Sequence, residues 1–256
     1  MASDPDTPPP GPDRPPRKIL SVDVGGTRFK ILATGQSEPR RRRTGPGMTP
    51  QDLVAQVQEM AADWEYDAVS LGYPGQVGQN GPRSEPGNLG PGWVGFNFPA
   101  AFGRPVRILN DAAMQALGSY DGGRMLFLGL GTGLGSTLIA ESVIVPLELG
   151  QLIYRGGALW EVLGRRGLKK LGKKRWRSAV DRVVPTLMAA TLADYVVIGG
   201  GNAKQIRKAP AGARLSNNLT AFRGGFRLWH LDDVRTLSSE ESPPGPAPSP
   251  PEWRVI

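Results

Sequence analysis

Ile19-Leu20-Ser21-Val22-Asp23-Val24-Gly25-Gly26-Thr27-Arg28-Phe29-Lys30-Ile31-Leu32 holds two apolar runs on either side of Gly25-Gly26-Thr27. The pattern reads as a β-hairpin with its turn at the glycines. Asp23 stands at the end of the first strand, where the chain turns. With no Cβ in the way, the glycines let backbone N–H groups approach an anion closely. Thr27 adds a hydroxyl and Lys30 a positive charge. A carboxylate beside such a nest makes chemical sense if a divalent cation bridges the two, as in phosphoryl transfer. An ordinary hairpin with a flexible turn uses the same residues, so the rest of the chain has to decide.

Composition narrows the choice. At 256 residues and 39% hydrophobic content, the chain can fill one large domain or two small lobes. No apolar run is long enough to cross a bilayer, and the N-terminus lacks a signal peptide's apolar core, so a cytoplasmic setting is expected. With no cysteine, thiolate metal sites, disulfides and cysteine nucleophiles are excluded. His230 is the single histidine, which leaves a carboxylate as the natural general base. The formal net charge of +8 points to polyanionic company. Arg40 to Arg43 read as a solvated face. A second run, Arg165 to Arg177, contains eight basic residues.

Residues 1–16 and 236–256 are Pro-rich and are expected to be disordered tails. Between them, residues 17–110 are expected to form a small N-terminal lobe holding the first hairpin, and 111–235 a larger C-terminal lobe. Thr49-Pro50 opens a helix whose apolar face is Leu53, Val54, Val57 and Met60. A loop rich in glycine, proline and asparagine follows from Gly78 to Phe98. Its Asn88 and Trp93 suit either a sugar site or a packed surface loop. Asn110-Asp111 ends a strand, with Asp111 placed as the N-cap of the next helix. Met125 to Leu130 and Ser136 to Glu141 flank Gly131-Thr132-Gly133-Leu134-Gly135. Because a strand rather than a helix follows, this is a second hairpin of the first type and not a dinucleotide fingerprint. Helical structure is expected over 158–177 and again from Ser178 to Leu192, with Pro185 as a kink. Gly199-Gly200-Gly201 is expected to open a helix whose N-terminus favours phosphate.

Taken in order, these motifs resemble the sugar kinase–actin superfamily. Within it they resemble the ROK sugar kinases, most closely the polyphosphate glucokinases. Asp23-Val24-Gly25-Gly26-Thr27 with Lys30 looks like the first phosphate motif, and Gly131-Thr132-Gly133 lies in the second. Asn88-Leu89 with Trp93 looks like the sugar loop, Asn110-Asp111-Ala112 the catalytic segment, and Glu148-Leu149-Gly150 a sugar-contacting turn. Gly200 and Gly201 fall in a motif near the distal part of the donor.

The resemblance implies an α/β fold, the two-lobed actin-like ATPase (ribonuclease H-like) sugar kinase fold. It also implies a hexose kinase that phosphorylates the C6 hydroxyl of glucose or a similar hexose. Asp111 would take the hydroxyl proton as general base. Asn88, Asn110, Glu148, Gln151 and Glu161 would bind the sugar. Asp23, Gly25, Gly26, Thr27, Lys30, Gly131, Thr132, Gly133, Gly200 and Gly201 would hold the donor phosphates, with Mg²⁺ at Asp23. The donor is polyphosphate, ATP or both. Helical spacing would put Arg166, Lys170, Lys173, Lys174 and Arg177 on one side as a stripe for a chain of phosphates.

Two departures stand out. Gln151 occupies the place of a family histidine, and the zinc-binding cysteines of many members are missing. The cysteines are missing in the polyphosphate-type members too; Gln151 and the unusually basic helix segment motivate the alternative, a catalytically weak sugar-binding or regulatory protein on the same fold. Membrane and nucleic acid are not expected as partners, since aromatics are sparse around the basic run. A homodimer stays open.

Overall fold

The computed structural model describes residues 18–217, 219–229 and 235–236. The Pro-rich stretches 1–16 and 237–256, and His230, lie outside them.

β1 (Ile19–Val24) and β2 (Arg28–Ala33) pair antiparallel around Gly25-Gly26-Thr27, with Asp23 directly opposite Lys30. β3 (Arg40–Arg43) extends the hairpin and sets Arg28 opposite Arg43 and Lys30 opposite Arg41. α1 (Pro50–Met60) starts in a capping box. The Thr49 hydroxyl accepts from the Asp52 N–H, and the Asp52 carboxylate accepts from the Thr49 N–H. Leu53, Val54 and Val57 give α1 its buried face. β4 (Ala68–Tyr73) is buried along its whole length and runs parallel to β1, as a strand covered on both faces does. After the short hairpin β5 (Val77–Gly78) and β6 (Gly81–Pro82), α2 (Phe98–Phe102) leads to β7 (Val106–Asn110). The first sheet has the order β3-β2-β1-β4-β7.

α3 (Asp111–Ser119) crosses to a second sheet. There β8 (Met125–Leu130), β9 (Leu134–Ala140) and β10 (Val143–Leu147) form an antiparallel meander. The small hairpin β11 (Ile153–Tyr154) and β12 (Gly157–Ala158) precedes α4 (Leu159–Leu163) and the long α5 (Arg165–Ala190). β13 (Tyr195–Gly199) pairs parallel with β8, and β14 (Ala213–Leu215) with β13. α6 (Thr220–Arg227) follows, and β15 (Arg235–Thr236) pairs parallel with β10, so Thr236 belongs to the sheet. The order is β14-β13-β8-β9-β10-β15. One apolar core lies between the first sheet and α1, around Trp93. Another lies between the second sheet and α5, around Trp176.

α6 turns back to pack on β1 and β4 of the first sheet while also crossing α3. That crossing is made backbone to backbone. A Cβ on Gly118 would overlap the Thr220 carbonyl, and one on Gly224 would overlap the Met114 carbonyl. Ser70 Oγ donates to the Gly225 carbonyl at 2.6 Å and accepts from Trp229 Nε1 at 2.8 Å, pinning α6 and the residues just after it to the sheet.

Three local expectations are corrected. α5 breaks at Gly172 (φ 70°, ψ 162°), while Pro185 lies inside the helix. Gly199-Gly200-Gly201 leads only into a 3₁₀ turn, Ala203–Gln205. Asn110, not Asp111, caps α3, because its amide oxygen accepts from the N–H groups of Ala112 and Ala113.

Candidate active site

The two glycine turns and the start of α3 meet at one cleft. In the first turn the Gly25 N–H is already spent on the Arg28 carbonyl at 3.0 Å. The N–H groups of Gly26 and Thr27 have no partner among the described residues. Thr44 clamps this turn from outside, its N–H donating to the Thr27 carbonyl and its hydroxyl to the Gly25 carbonyl. In the second turn the Gly131 N–H bonds within the turn. The Gly131 carbonyl accepts from Asn202 Nδ2 at 2.8 Å and from the Arg165 N–H at 3.0 Å. With that carbonyl held by the protein, the Thr132 and Gly133 N–H groups, unpartnered among the described residues, are left as donors for an anion.

Gly135 brings the second hairpin against α3: a Cβ there would stand 2.8 Å from the Ala112 Cβ. Asp111, the first helical residue, is thereby held at the mouth of the turn. Burial, then the charge of Asp23 and to a smaller degree that of Glu148, push its carboxyl up to about 7. A carboxylate poised there is matched to proton transfer near neutral pH. Asn110 holds its neighbour in place with both ends of its amide, capping α3 and donating from Nδ2 to the Gly75 carbonyl at 3.0 Å. It does not line the cleft, so the expected sugar contact becomes a positioning role.

A cleft of about 440 Å³ is lined by Gly26, Asn88, Asp111, Thr132, Glu148 and Gln151, together with Gly131, Gly133 and Gly200. Glu148 and Gln151 reach it from a 3₁₀ turn, Leu149–Gln151. Buried Ser136 fixes that turn by accepting from the Leu149 N–H and donating to the Leu147 carbonyl. Trp160 and Gln115 also line the cleft; sequence reasoning singled out neither, as no local pattern marks them. Trp93 is fully buried against Tyr73 and Phe98, with its Nε1 on the Gly90 carbonyl. It packs the loop and cannot stack on a sugar. Glu161 faces away from the cleft and pairs with Arg166 at 2.5 Å.

A larger cavity of about 1280 Å³ adjoins the cleft and shares Gly26, Asn88 and Gly200 with it. Thr27, Lys30 and Gly201 line this second space. Lys30 Nζ also pairs with Asp23 at 3.2 Å. Gly200 (φ 82°) has no room for a side chain, because a Cβ would press on the Leu130 backbone.

Among the described residues, no three His, Asp or Glu side chains gather as a metal cage. The fit to Mg²⁺ is of another kind. Asp23 lies near enough to Asp111 to raise its affinity for a proton. One or two carboxylates of this sort, completed by substrate phosphates and water, are what Mg²⁺ ordinarily uses.

No protein-family model matches the chain. Its sequence is 27% identical over 215 residues to a polyphosphate glucokinase of Mycobacterium tuberculosis, covering 75% of this chain and 80% of that protein. Among solved structures, an inorganic polyphosphate/ATP-glucomannokinase from Arthrobacter sp. strain KM superposes with a TM-score of 0.71 at 22% identity, covering 85% of this chain and 99% of that one. A ROK family glucokinase from Streptomyces griseus, in complex with glucose and AMPPNP, does so at 0.64 and 14%, over 82% and 98%. At such identities the structural likeness establishes the fold, the two-lobed α/β actin-like ATPase fold that the motifs implied.

Proposed function

We propose, for a chain that stands among the ROK sugar kinases and is most like the polyphosphate glucokinases, that it transfers a phosphoryl group from polyphosphate or ATP to the C6 hydroxyl of glucose or a similar hexose. The observation that carries the reading is the meeting of Asp111, its proton affinity raised towards neutrality, with two turns of unpartnered N–H groups in one cleft.

The chemistry follows from these residues. Asn88, Glu148 and Gln151 hold the sugar hydroxyls, and Gln151 both donates and accepts where a histidine would do so with its ring. Asp111 accepts the proton of the attacking hydroxyl as the new O–P bond forms and the bond from that phosphorus to the donor's bridging oxygen breaks, so that the shortened donor leaves with the electron pair. The N–H groups of Gly26, Thr27, Thr132 and Gly133 stabilise the charge on the transferred group. Lys30 and the Thr27 hydroxyl assist from the donor side. Mg²⁺, with Asp23 and the donor phosphates as its ligands, would neutralise phosphate charge. Leu215, Leu219 and Phe222 on one wall of the donor cavity suit a nucleoside. Residues 17–110 and 111–235 act as the two lobes, with α6 spanning them, and closure excludes water. A cytoplasmic setting is part of the same reading.

The test is a matrix of hexoses against ATP and polyphosphate, followed by detection of the sugar phosphate. Turnover of glucose or a close relative with at least one donor is expected. No product in any combination, from folded protein, overturns the assignment.

A further inference from the structure

The molecule has two strongly basic regions, and they differ in what the cations face. On β3 the side chains alternate. Arg40 and Arg42 turn to α1 and pair with Asp63 at 2.5 Å and Glu59 at 2.7 Å. Arg41 and Arg43 point the other way and have no partner among the described residues. On β2, Phe29 and Ile31 are buried, so Arg28 and Lys30 share the outward face. The register then builds a two-by-two array, with Arg28 against Arg43 and Lys30 against Arg41. Like charges directly opposite each other across strands repel. Asp23, opposite Lys30 on the other side, is the single carboxylate bonded to this array among the described residues. All four cations line the cavity that joins the Asp111 cleft at Gly26, and Lys204 faces them from beyond Gly200-Gly201.

The basic run on α5 is placed differently. The break at Gly172 interrupts the helical spacing. Arg166, Lys170 and Lys174 line a groove of about 790 Å³ with Arg155, Arg175 and Arg182, while Arg177 turns away to the Gln205 carbonyl. This groove shares no lining residue with the cleft.

We infer that the outward face of the β2–β3 hairpin, through Arg28, Lys30, Arg41 and Arg43, is the track along which an inorganic polyphosphate donor leaves the cleft, and that the α5 groove is not. The inference rests on the kinase reading for its ligand. A linear polyanion answers the repulsion within the array, and each further phosphate along the face meets another cation. A nucleoside triphosphate has only its own short run of phosphates to set against these cations.

The experiment compares Arg41→Gln/Arg43→Gln with Lys170→Gln/Lys174→Gln. Binding of tripolyphosphate and of a longer inorganic polyphosphate is measured by calorimetry over a range of salt. The wild-type chain is expected to bind the longer chain more tightly than tripolyphosphate. The β3 double variant should lose that gain, about tenfold or more, and its log K–log salt slope should fall by about 1–2 units, by analogy with counterion release from nucleic acids. The α5 variant should match wild type. Loss of chain-length preference in the α5 variant, or its retention in the β3 variant, overturns the track. Binding does not depend on turnover, so a failure of the kinase reading shows separately in the hexose assay. If turnover occurs, the β3 variant should lower the polyphosphate-driven rate and leave the ATP-driven rate within about threefold.

Discussion

The two glycine turns look alike in sequence and are built for different reasons. In the first, the fold itself needs the glycines. A Cβ on Gly25 would sit 2.9 Å from the Arg28 carbonyl, and one on Gly26 would sit 3.0 Å from Asn88 Nδ2. In the second, Gly131 and Gly133 have nothing within 4 Å of where a Cβ would be. Neither lies at positive φ, so no protein contact or backbone strain explains their lack of a side chain. The space they leave opens onto the cleft that holds Asp111. The glycines of the first turn make room for neighbouring protein groups, whereas Gly131 and Gly133 leave space that opens on the cleft. The charge differs as well. The first turn leads into cations, while the second sits among the carboxylates of Asp111 and Glu148.

The largest effect is expected where the second turn meets the base. Asp111→Asn should lower sugar phosphorylation by roughly 10²–10⁴-fold at unchanged sugar affinity. A variant that keeps more than about a tenth of wild-type turnover would reduce Asp111 to the first residue of a helix.

The comparison of the turns is broken or sharpened by one pair of substitutions. Gly25→Ala should destabilise the fold by about 1–3 kcal/mol, the usual range for an added group that forces backbone aside. Gly133→Ala should leave the melting temperature nearly unchanged and raise the KM for the donor. Equal thermal losses in the two variants would erase the distinction.

The smallest effect is one of pH. An ordinary aspartate titrates near 3.9 in the unfolded chain, whereas Asp111 in the fold titrates at about 7. Between these values the native state holds a proton that the unfolded state has lost, so stability falls as pH rises through this window and levels off above 7. Asp111→Asn removes the dependence. The variant should be more stable than wild type at pH 8, by about 1–2 kcal/mol once the remaining solvent contact is discounted. Urea titrations at pH 4 and pH 8 decide it, since the advantage should vanish at the lower pH. Wild-type turnover should rise through pH 7 as Asp111 ionises.

Both hairpins were legible because apolar runs broken by glycines leave few alternatives. α1 was legible because Thr49-Pro50 marks a helix start and Leu53, Val54, Val57 and Met60 recur at helical spacing; the capping box through Asp52 shows only in the structure. Other features depend on what packs against them. A strand followed by three glycines can enter a helix or a 3₁₀ turn, and at Gly200 the close approach of the Leu130 backbone decides. Four consecutive arginines read as a solvated face until Glu59 of α1 and Asp63 just beyond it pair with Arg42 and Arg40, leaving Arg41 and Arg43 without a carboxylate among the described residues. Trp93 and Asn110 carry the right chemistry for a sugar, but burial takes the first and helix capping the second. The basic stripe survives in part, since Arg166, Lys170 and Lys174 line one groove on both sides of the break at Gly172, while Arg177 turns to the Gln205 carbonyl; no count of helical spacing reveals either the break or that contact.

The glycine crossing of α3 and α6 has a mechanical consequence. α3 is a lever about 13 Å long, nine residues at 1.5 Å each. Its fulcrum is the stretch from Met114 to Gly118, which rests on the α6 backbone with no side chain between them to act as a cushion. Its near end carries Asp111, braced by Ala112 against Gly135 of the second hairpin. On the kinase reading proposed above, a rotation of one sheet against the other about that fulcrum would swing the Asp111 carboxylate along with the second turn, so that shutting the cleft and aiming the base would be a single movement.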